Sequence, residues 1–299
     1  MGRRSIREIN KTKYILHRKL MDIIKPYILI LPSFLLLVLC IFGILCCALQ
    51  AMGIMSVVGL KSLTFDYIKQ VLFSKKFINS FVYTLYLSFF QSMLSIIFGF
   101  IISVYLIKNK ITKFGLLYIP FAVPHIVVAM FTILLFAENG FISRLICSLN
   151  IINNMSAFPN ILYNDLGFGT IIAYVWKGVA YVLSVVYVVI RVCDTKYYEV
   201  IKGMKVSYIR YVIDILLPLS KKQLISSFLI LFSFSFGSYE LPFLLNKTTH
   251  KTLAVYAYEE FLNPNMLNRP VAQSYNLIMV LCGLIIILLY IKTINNKIK

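Results

Sequence analysis

The sequence predicts an all-α membrane protein with six transmembrane helices in one domain and both termini on the same side. Three observations carry this: the scarcity of charge, the spacing of long apolar runs, and the one-sided placement of basic residues. Of 299 residues, 60% are hydrophobic and 14% are charged, and mean hydropathy is +0.84. Water-soluble domains are about 45–50% apolar and about 25% charged, so this chain lacks the charge to coat a solvated surface. Thirteen Gly, nine Pro and six scattered Cys also exclude collagen-like, disordered and disulfide-scaffold classes. Cys40, Cys46, Cys47 and Cys282 lie inside apolar runs without paired spacing and read as small hydrophobes.

A helix needs about 20 apolar residues to cross about 30 Å of hydrocarbon. Six stretches meet that length: 27–50, 79–107, 114–137, 167–190, 223–245 and 271–291. The first lies in an uncharged run from Pro26 to Leu60, and the second in one from Phe77 to Ile107, long enough to tilt or protrude. Pro120 and Pro124 sit four apart in the third, where proline kinks a helix and frees carbonyls that neighbours must satisfy. Lys177 interrupts the fourth and Glu240 stands near the end of the fifth. A basic segment, 1–26, precedes the spans, and 292–299 is a short tail.

The net charge of +19 is topological. Twenty-one basic residues fall in the N-terminal segment, the connections after spans two and four, and the tail; eight fall in the opposite connections. Lysine and arginine accumulate in cytoplasmic loops, which puts both termini in the cytoplasm and removes the case for nucleic acid as a partner. The basic start followed by an apolar run resembles a secretory signal. That run is far longer than the about 7–15 residues of a cleavable h-region and lacks an A-x-A site, so it reads as a retained first span.

Enzymatic signatures are lacking. There is no G-x-x-x-x-G-K-[ST] loop to cradle a nucleotide phosphate, and no G-x-S-x-G elbow. His17, His125 and His250 are far apart in sequence and form no H-E-x-x-H or Cys/His ligand set, so neither a metal nor a resident cofactor is expected.

The connection 191–222 carries the most information. It holds one Gly and one Pro, unlike a flexible linker, and Val200, Met204, Tyr208, Tyr211 and Ile215 recur at steps of three and four, as on one helix face. A short helix at the cytoplasmic surface with such a face needs a cover, either the bilayer interface or a docked protein. From Glu199 the residues read Glu199-Val200-Ile201, three residues, Lys205, nine residues, then Ile215-Leu216-Leu217-Pro218.

That frame resembles the loop of inner-membrane permeases of binding-protein-dependent ABC importers, which reads Glu-Ala-Ala, three residues, Gly, nine residues, Ile-x-Leu-Pro, two spans before the C-terminus. The chain departs from it where Val200 and Ile201 replace the two Ala and Lys205 replaces the Gly. Lys does not share glycine's access to positive φ, which shifts the expected turn toward Gly203. The resemblance spans roughly 25–295. It implies a cytoplasmic coupling helix within 197–219, seated in a cleft of a separate cytoplasmic ABC ATPase that holds the ATP and Mg. It implies as well a second permease subunit, and an extracellular solute-binding protein that delivers a small-molecule solute. Glu199 would then cap or orient the helix. Val200, Ile201, Met204 and Val206 would supply the docked face, with Gly203, Lys205, Ser207 and Pro218 completing the motif. Pro120 to His125, Trp176-Lys177-Gly178, Tyr239 to Leu244 and Leu267 to Pro270 look most like the polyamine and iron or phosphonate branch rather than the sugar branch.

Within the spans, Lys177 costs about 2.5–3.5 kcal/mol to insert, so it is expected to face the interior, either in an ion pair or carbonyl contact or on a solute path. Glu240 reads as its partner or as a contact for a cationic solute. Tyr174, Tyr181 and Trp176 read as path-lining or as packing aromatics. A stand-alone secondary transporter would show inverted repeats with broken helices, and no internal repeat is evident. A non-transporting scaffold would have no need of Lys177.

Overall fold

The computed structural model describes residues 2–56, 59–204 and 206–295. The described residues form helices and connecting turns, with one isolated β-bridge between Met55 and Leu60. In chain order the helices are α1 (Gly2–Ala51), α2 (Asp66–Leu72), α3 (Lys75–Lys108), α4 (Ile119–Ala122), α5 (His125–Phe136) and α6 (Phe141–Ser148). They continue with α7 (Phe168–Gly203), α8 (Tyr208–Tyr211), α9 (Leu217–Gly237), α10 (Glu240–Leu245), α11 (Leu253–Leu262) and α12 (Arg269–Asn295). Among the described residues six segments are long and apolar enough to cross a membrane: Lys25–Ala51, Lys75–Lys108, His125–Ser148, Phe168–Asp194, Tyr208–Gly237 and Met266–Lys292.

The centre of the bundle is α3 packed along α7, with α9 against both. The reason lies in one stripe of α3. Ser80, Thr84, Ser88, Ser92, Ser95, Gly99 and Ser103 recur at steps of three and four and are all buried. Small residues let helix backbones approach closely, where lipid offers no hydrophobic gain from association. The approach is tight: a Cβ on Gly99 would lie 2.6 Å from the Val182 Cβ, and one on Gly178 would overlap Ser95. Most of the hydroxyls are satisfied locally, with Ser92, Ser95 and Ser103 each donating to the carbonyl four residues back at 2.6–2.7 Å, while the buried Ser88 hydroxyl has no partner among the described residues. Hydropathy does not reveal this stripe, because the apolar neighbours dominate the average.

Three expectations change in detail. The third span is not one helix over 114–137. A 3-10 turn at Gly115–Tyr118 and α4 precede a break at Val123 and Pro124, and α5 follows. Val123 is extended, with ψ of 131°, because the proline ring clashes with a helical preceding residue. The fifth span begins before 223 and ends at Gly237; Ser238 is extended, and Glu240 opens the separate α10. The fourth span does not stop at 190. Its helix continues to Gly203, so the connection is helical on both sides of an interruption between Gly203 and Tyr208, with no detached surface helix among the described residues.

Candidate functional site

The connection between spans four and five forms a corner at the end of the bundle that carries both termini. The helix of α7 ends at Gly203, which has open space around it and no left-handed φ. Ser207 is extended and precedes α8, which runs through a π turn at Val212–Leu216 into α9, with Pro218 in its first turn. The break sorts the apolar residues into two sets. Tyr211 is 1% exposed, and Tyr208 and Ile215 are half-buried against the core of Leu106, Val186, Ile190 and Leu216. Met204 is 70% exposed, Val206 40% and Ile209 72%. Of the five residues expected on one helix face, the four whose side chains are described are therefore divided: Met204 faces out, and Tyr208, Tyr211 and Ile215 face in. Lys205 lies outside the described residues, as do the side chains of Glu199, Val200 and Ile201, whose backbone is helical.

The inward set builds a polar-tipped aromatic cluster that motif reading did not single out. The rings of Tyr198, Tyr208 and Tyr211 lie 5.9–6.3 Å apart, centroid to centroid. The Tyr211 hydroxyl donates to Asp194 Oδ1 at 3.2 Å, and Lys108 Nζ stands 5.1 Å from the centre of the Tyr208 ring. The signal in the sequence was four Tyr and two Asp in a connection otherwise rich in Lys and Arg; three of those Tyr, with Asp194, make the cluster.

Deeper in the bundle a cavity of about 240 Å³ is lined by Gln91, Phe121, His125, Tyr174, Lys177 and Tyr181, among others. Lys177 Nζ donates to the carbonyl of Val123, the residue whose extended backbone takes it out of the helical ladder. The lysine and the two prolines are thus one arrangement: the break supplies an acceptor, and the ammonium supplies the donor it requires. Glu240 is half-buried at the start of α10 and is not ion-paired with Lys177, although it is near enough to act on that ammonium and on His125 electrostatically. The ring of His125 lies 5.2 Å from Phe234 and 6.4 Å from Tyr174, and Phe121 stacks on Tyr181 at 6.3 Å. Gln91 is buried and bridges α3 to α9 through the Leu231 carbonyl at 3.0 Å and the Ser235 hydroxyl at 2.8 Å. Lys177, Tyr174 and Tyr181 are brought together on this cavity; Trp176 faces away, into an apolar groove with Phe98 and Pro120.

At the end opposite the termini, the segment before α7 is tied to the one after α10. Lys247 Nζ donates to Asp165 Oδ1 at 2.9 Å, and His250 Nδ1 lies 3.3 Å from the same oxygen. The hydrogen bond and charge of Lys247, with a smaller contribution from His250, hold the Asp165 carboxyl below the usual carboxylate range. Gly167 occupies a left-handed φ of +64° beside the Tyr83 hydroxyl, where a side chain has no room.

Two solved structures share this fold. One, described as the crystal structure of a bacterial alginate ABC transporter in complex with alginate pentasaccharide-bound periplasmic protein, superposes with a TM-score of 0.69 at 17% identity, covering 91% of this chain and 96% of that one. Another, a bacterial ABC transporter involved in the import of the acidic polysaccharide alginate, gives 0.70 at 16% identity, covering 93% and 99%. No curated protein sequence matches the chain. Residues 95–294 match the family described as binding-protein-dependent transport system inner membrane component. With two-thirds of its length in that match and six apolar helices around it, the chain belongs to this family: it is a multi-pass inner-membrane permease subunit of ABC importers, a transport component rather than an enzyme.

Proposed function

We propose that this permease forms half of a solute path and is driven by a separate cytoplasmic ATPase that docks on the corner at 199–218. The observation that carries the reading is the exposed apolar edge of Met204, Val206 and Ile209, at the position of the family-like loop and at the end carrying the termini. The basic residues favour a cytoplasmic setting for that end. The ATP and Mg belong to the partner. A second permease subunit completes the path, and a solute-binding protein meets the opposite face. ATP-driven closure of the ATPase pair then moves the corner and biases the bundle between two states. In this scheme Glu199, Val200, Ile201, Gly203, Met204, Lys205, Val206, Ser207 and Pro218 form the coupling segment, and Tyr174, Lys177, Tyr181 and Glu240 border the path.

For the solute, a small cation of the polyamine class is favoured. Aromatic faces at Phe121, Tyr174 and Tyr181 and the carboxylate of Glu240 suit a cation, while Lys177 is already engaged by a carbonyl. The rival is an acidic saccharide, the cargo named for the two structural neighbours, which Lys177 would favour. Uptake of labelled spermidine and of alginate oligosaccharide, in cells with and without this chain, separates the two; spermidine uptake that persists without the chain overturns the first.

Docking is tested by gentle detergent extraction from the native membrane and identification of co-purifying proteins. A P-loop ATPase and a second six-span protein are expected with the unaltered chain. Both should be lost or much weakened with Glu199→Arg combined with Met204→Asp. Recovery of the chain alone, with the double variant indistinguishable, would return the reading to a stand-alone transporter.

A further inference from the structure

The corner raises a mechanical question. The interruption between Gly203 and Tyr208 would absorb an applied displacement as a hinge, unless something fixes the angle between the end of α7 and the start of α8. The structure supplies that constraint on the inner side of the corner. Asp194 and Tyr198 lie one turn apart on α7, and Tyr208 and Tyr211 lie one turn apart on α8. The three rings pack mutually at 5.9–6.3 Å, and the Tyr211 hydroxyl reaches across to Asp194 Oδ1 at 3.2 Å. The third side is α3: Lys108 stands over the Tyr208 ring, and the Tyr208 hydroxyl points to the Val104 carbonyl at 3.5 Å.

The chemistry of the pair is informative. Tyr211 is 1% exposed within a core cluster made mostly of Leu, Ile and Val. Apolar packing of the same volume would be as stable there as a buried hydroxyl and a partly buried carboxylate, because desolvation offsets most of what such a pair gains. What the polar pair adds is direction: a hydrogen bond to a charged acceptor weakens steeply with misalignment, so it resists rotation of α8 about α7 where ring packing alone permits slip.

We infer that the hydrogen bond from Tyr211 to Asp194, set in the ring packing of Tyr198 and Tyr208, is a clamp that turns the corner into a rigid lever. Displacement applied at the exposed edge around Met204 is then delivered to α7 and α9 together, and through them to the cavity at Lys177 and the breaks at Val123 and Ser238. Tyr211 and Asp194 are positioning residues in this account; they touch neither solute nor ATPase. The inference rests on the docking of an ATPase at this corner.

The test uses the complex purified from the native membrane in gentle detergent, with MgATP and orthovanadate as the probe. Amide hydrogen exchange over residues 119–137 and 237–245 is compared with and without the probe. In the unaltered complex the probe changes exchange in both segments. With Tyr211→Phe, which keeps the ring and removes the donor, the ATPase still co-purifies while the probe-dependent change falls about tenfold, the scale of one lost hydrogen bond to a charged group. Asp194→Ala behaves likewise, whereas Asp194→Asn, which keeps an acceptor, retains most of the response; a purely structural role would not divide Asn from Ala in this way at equal melting temperature. Should Tyr211→Phe not assemble, the Asp194 pair decides the matter. Full response in both Tyr211→Phe and Asp194→Ala overturns the clamp while leaving docking intact. Failure of any ATPase to accompany the unaltered chain overturns docking, and the clamp with it.

Discussion

Gly178 and Gly99 show how much a single position decides in this bundle. Each lies where α7 and α3 pack against one another, and neither has room for a β-carbon. Gly178→Val therefore forces the central helices apart and is expected to cost about 1–3 kcal/mol, read as a lower melting temperature in detergent. Asp165 is the complementary case of a residue whose environment tunes its charge without anchoring the fold. Its carboxyl is held low by Lys247, so the tie it makes persists from neutral pH downward and is lost only as pH falls through that depressed value, below the ordinary carboxylate near about 3.9. A carboxyl-shift titration of Asp165 should show the low midpoint, and Lys247→Met should move it back up. Solvent screening makes the same substitution nearly silent in stability. Gly178 was visible in the sequence only as part of Trp176-Lys177-Gly178, since nothing in one dimension says that Ser95 would stand opposite.

The broken third span is where sequence and structure meet most closely at the level of the element. Two prolines four apart announce that carbonyls are freed, and a lysine at membrane depth announces that it needs an acceptor. The structure joins the two needs in one bond from Lys177 to Val123. Lys177→Met removes an ammonium that costs about 2.5–3.5 kcal/mol to insert and leaves a carbonyl unsatisfied, at about 1–3 kcal/mol. The two nearly cancel, so the melting temperature of the variant should shift by only a few degrees. A large fall in solute uptake at unchanged abundance would then report on the path rather than on folding. The connection between spans four and five is legible as helical and as family-like, but its geometry is not: a periodicity of three and four over residues 200–215 predicts one face, and the interruption after Gly203 cuts that face in two. Helical phase is lost at any non-helical residue, and hydropathy carries no mark of where that happens.

For the whole molecule, burial is uneven. The span Lys25–Ala51 has no buried residue in its most apolar window, and α1 packs chiefly against α12, whereas the α7 span is half buried. Removal of residues 1–51 should therefore leave α3, α7, α9 and α12 folded around one another, checked by a monodisperse peak and retained helical circular dichroism in detergent. Loss of the helical signal would show that α1 is integral to the core. The family match over 95–294 falls on that same inner set of helices.

The sequence by itself determined that the chain crosses a membrane six times, the sidedness its basic residues favour, and the family to which its loop points. Those properties follow from sums along the chain: apolar length against bilayer thickness, charge on alternate connections, motif spacing. Only the tertiary structure decided which side of each helix is inside. In water, a polar face and an apolar face distinguish surface from core. Within lipid both surroundings are apolar, and the orientation of α3 is set instead by a stripe of serines and glycines that permits close approach. Only the folded chain shows, too, that Tyr211 turns in while Met204 stays out, because the interruption between them resets the helical phase, and that Lys177 serves a carbonyl rather than Glu240.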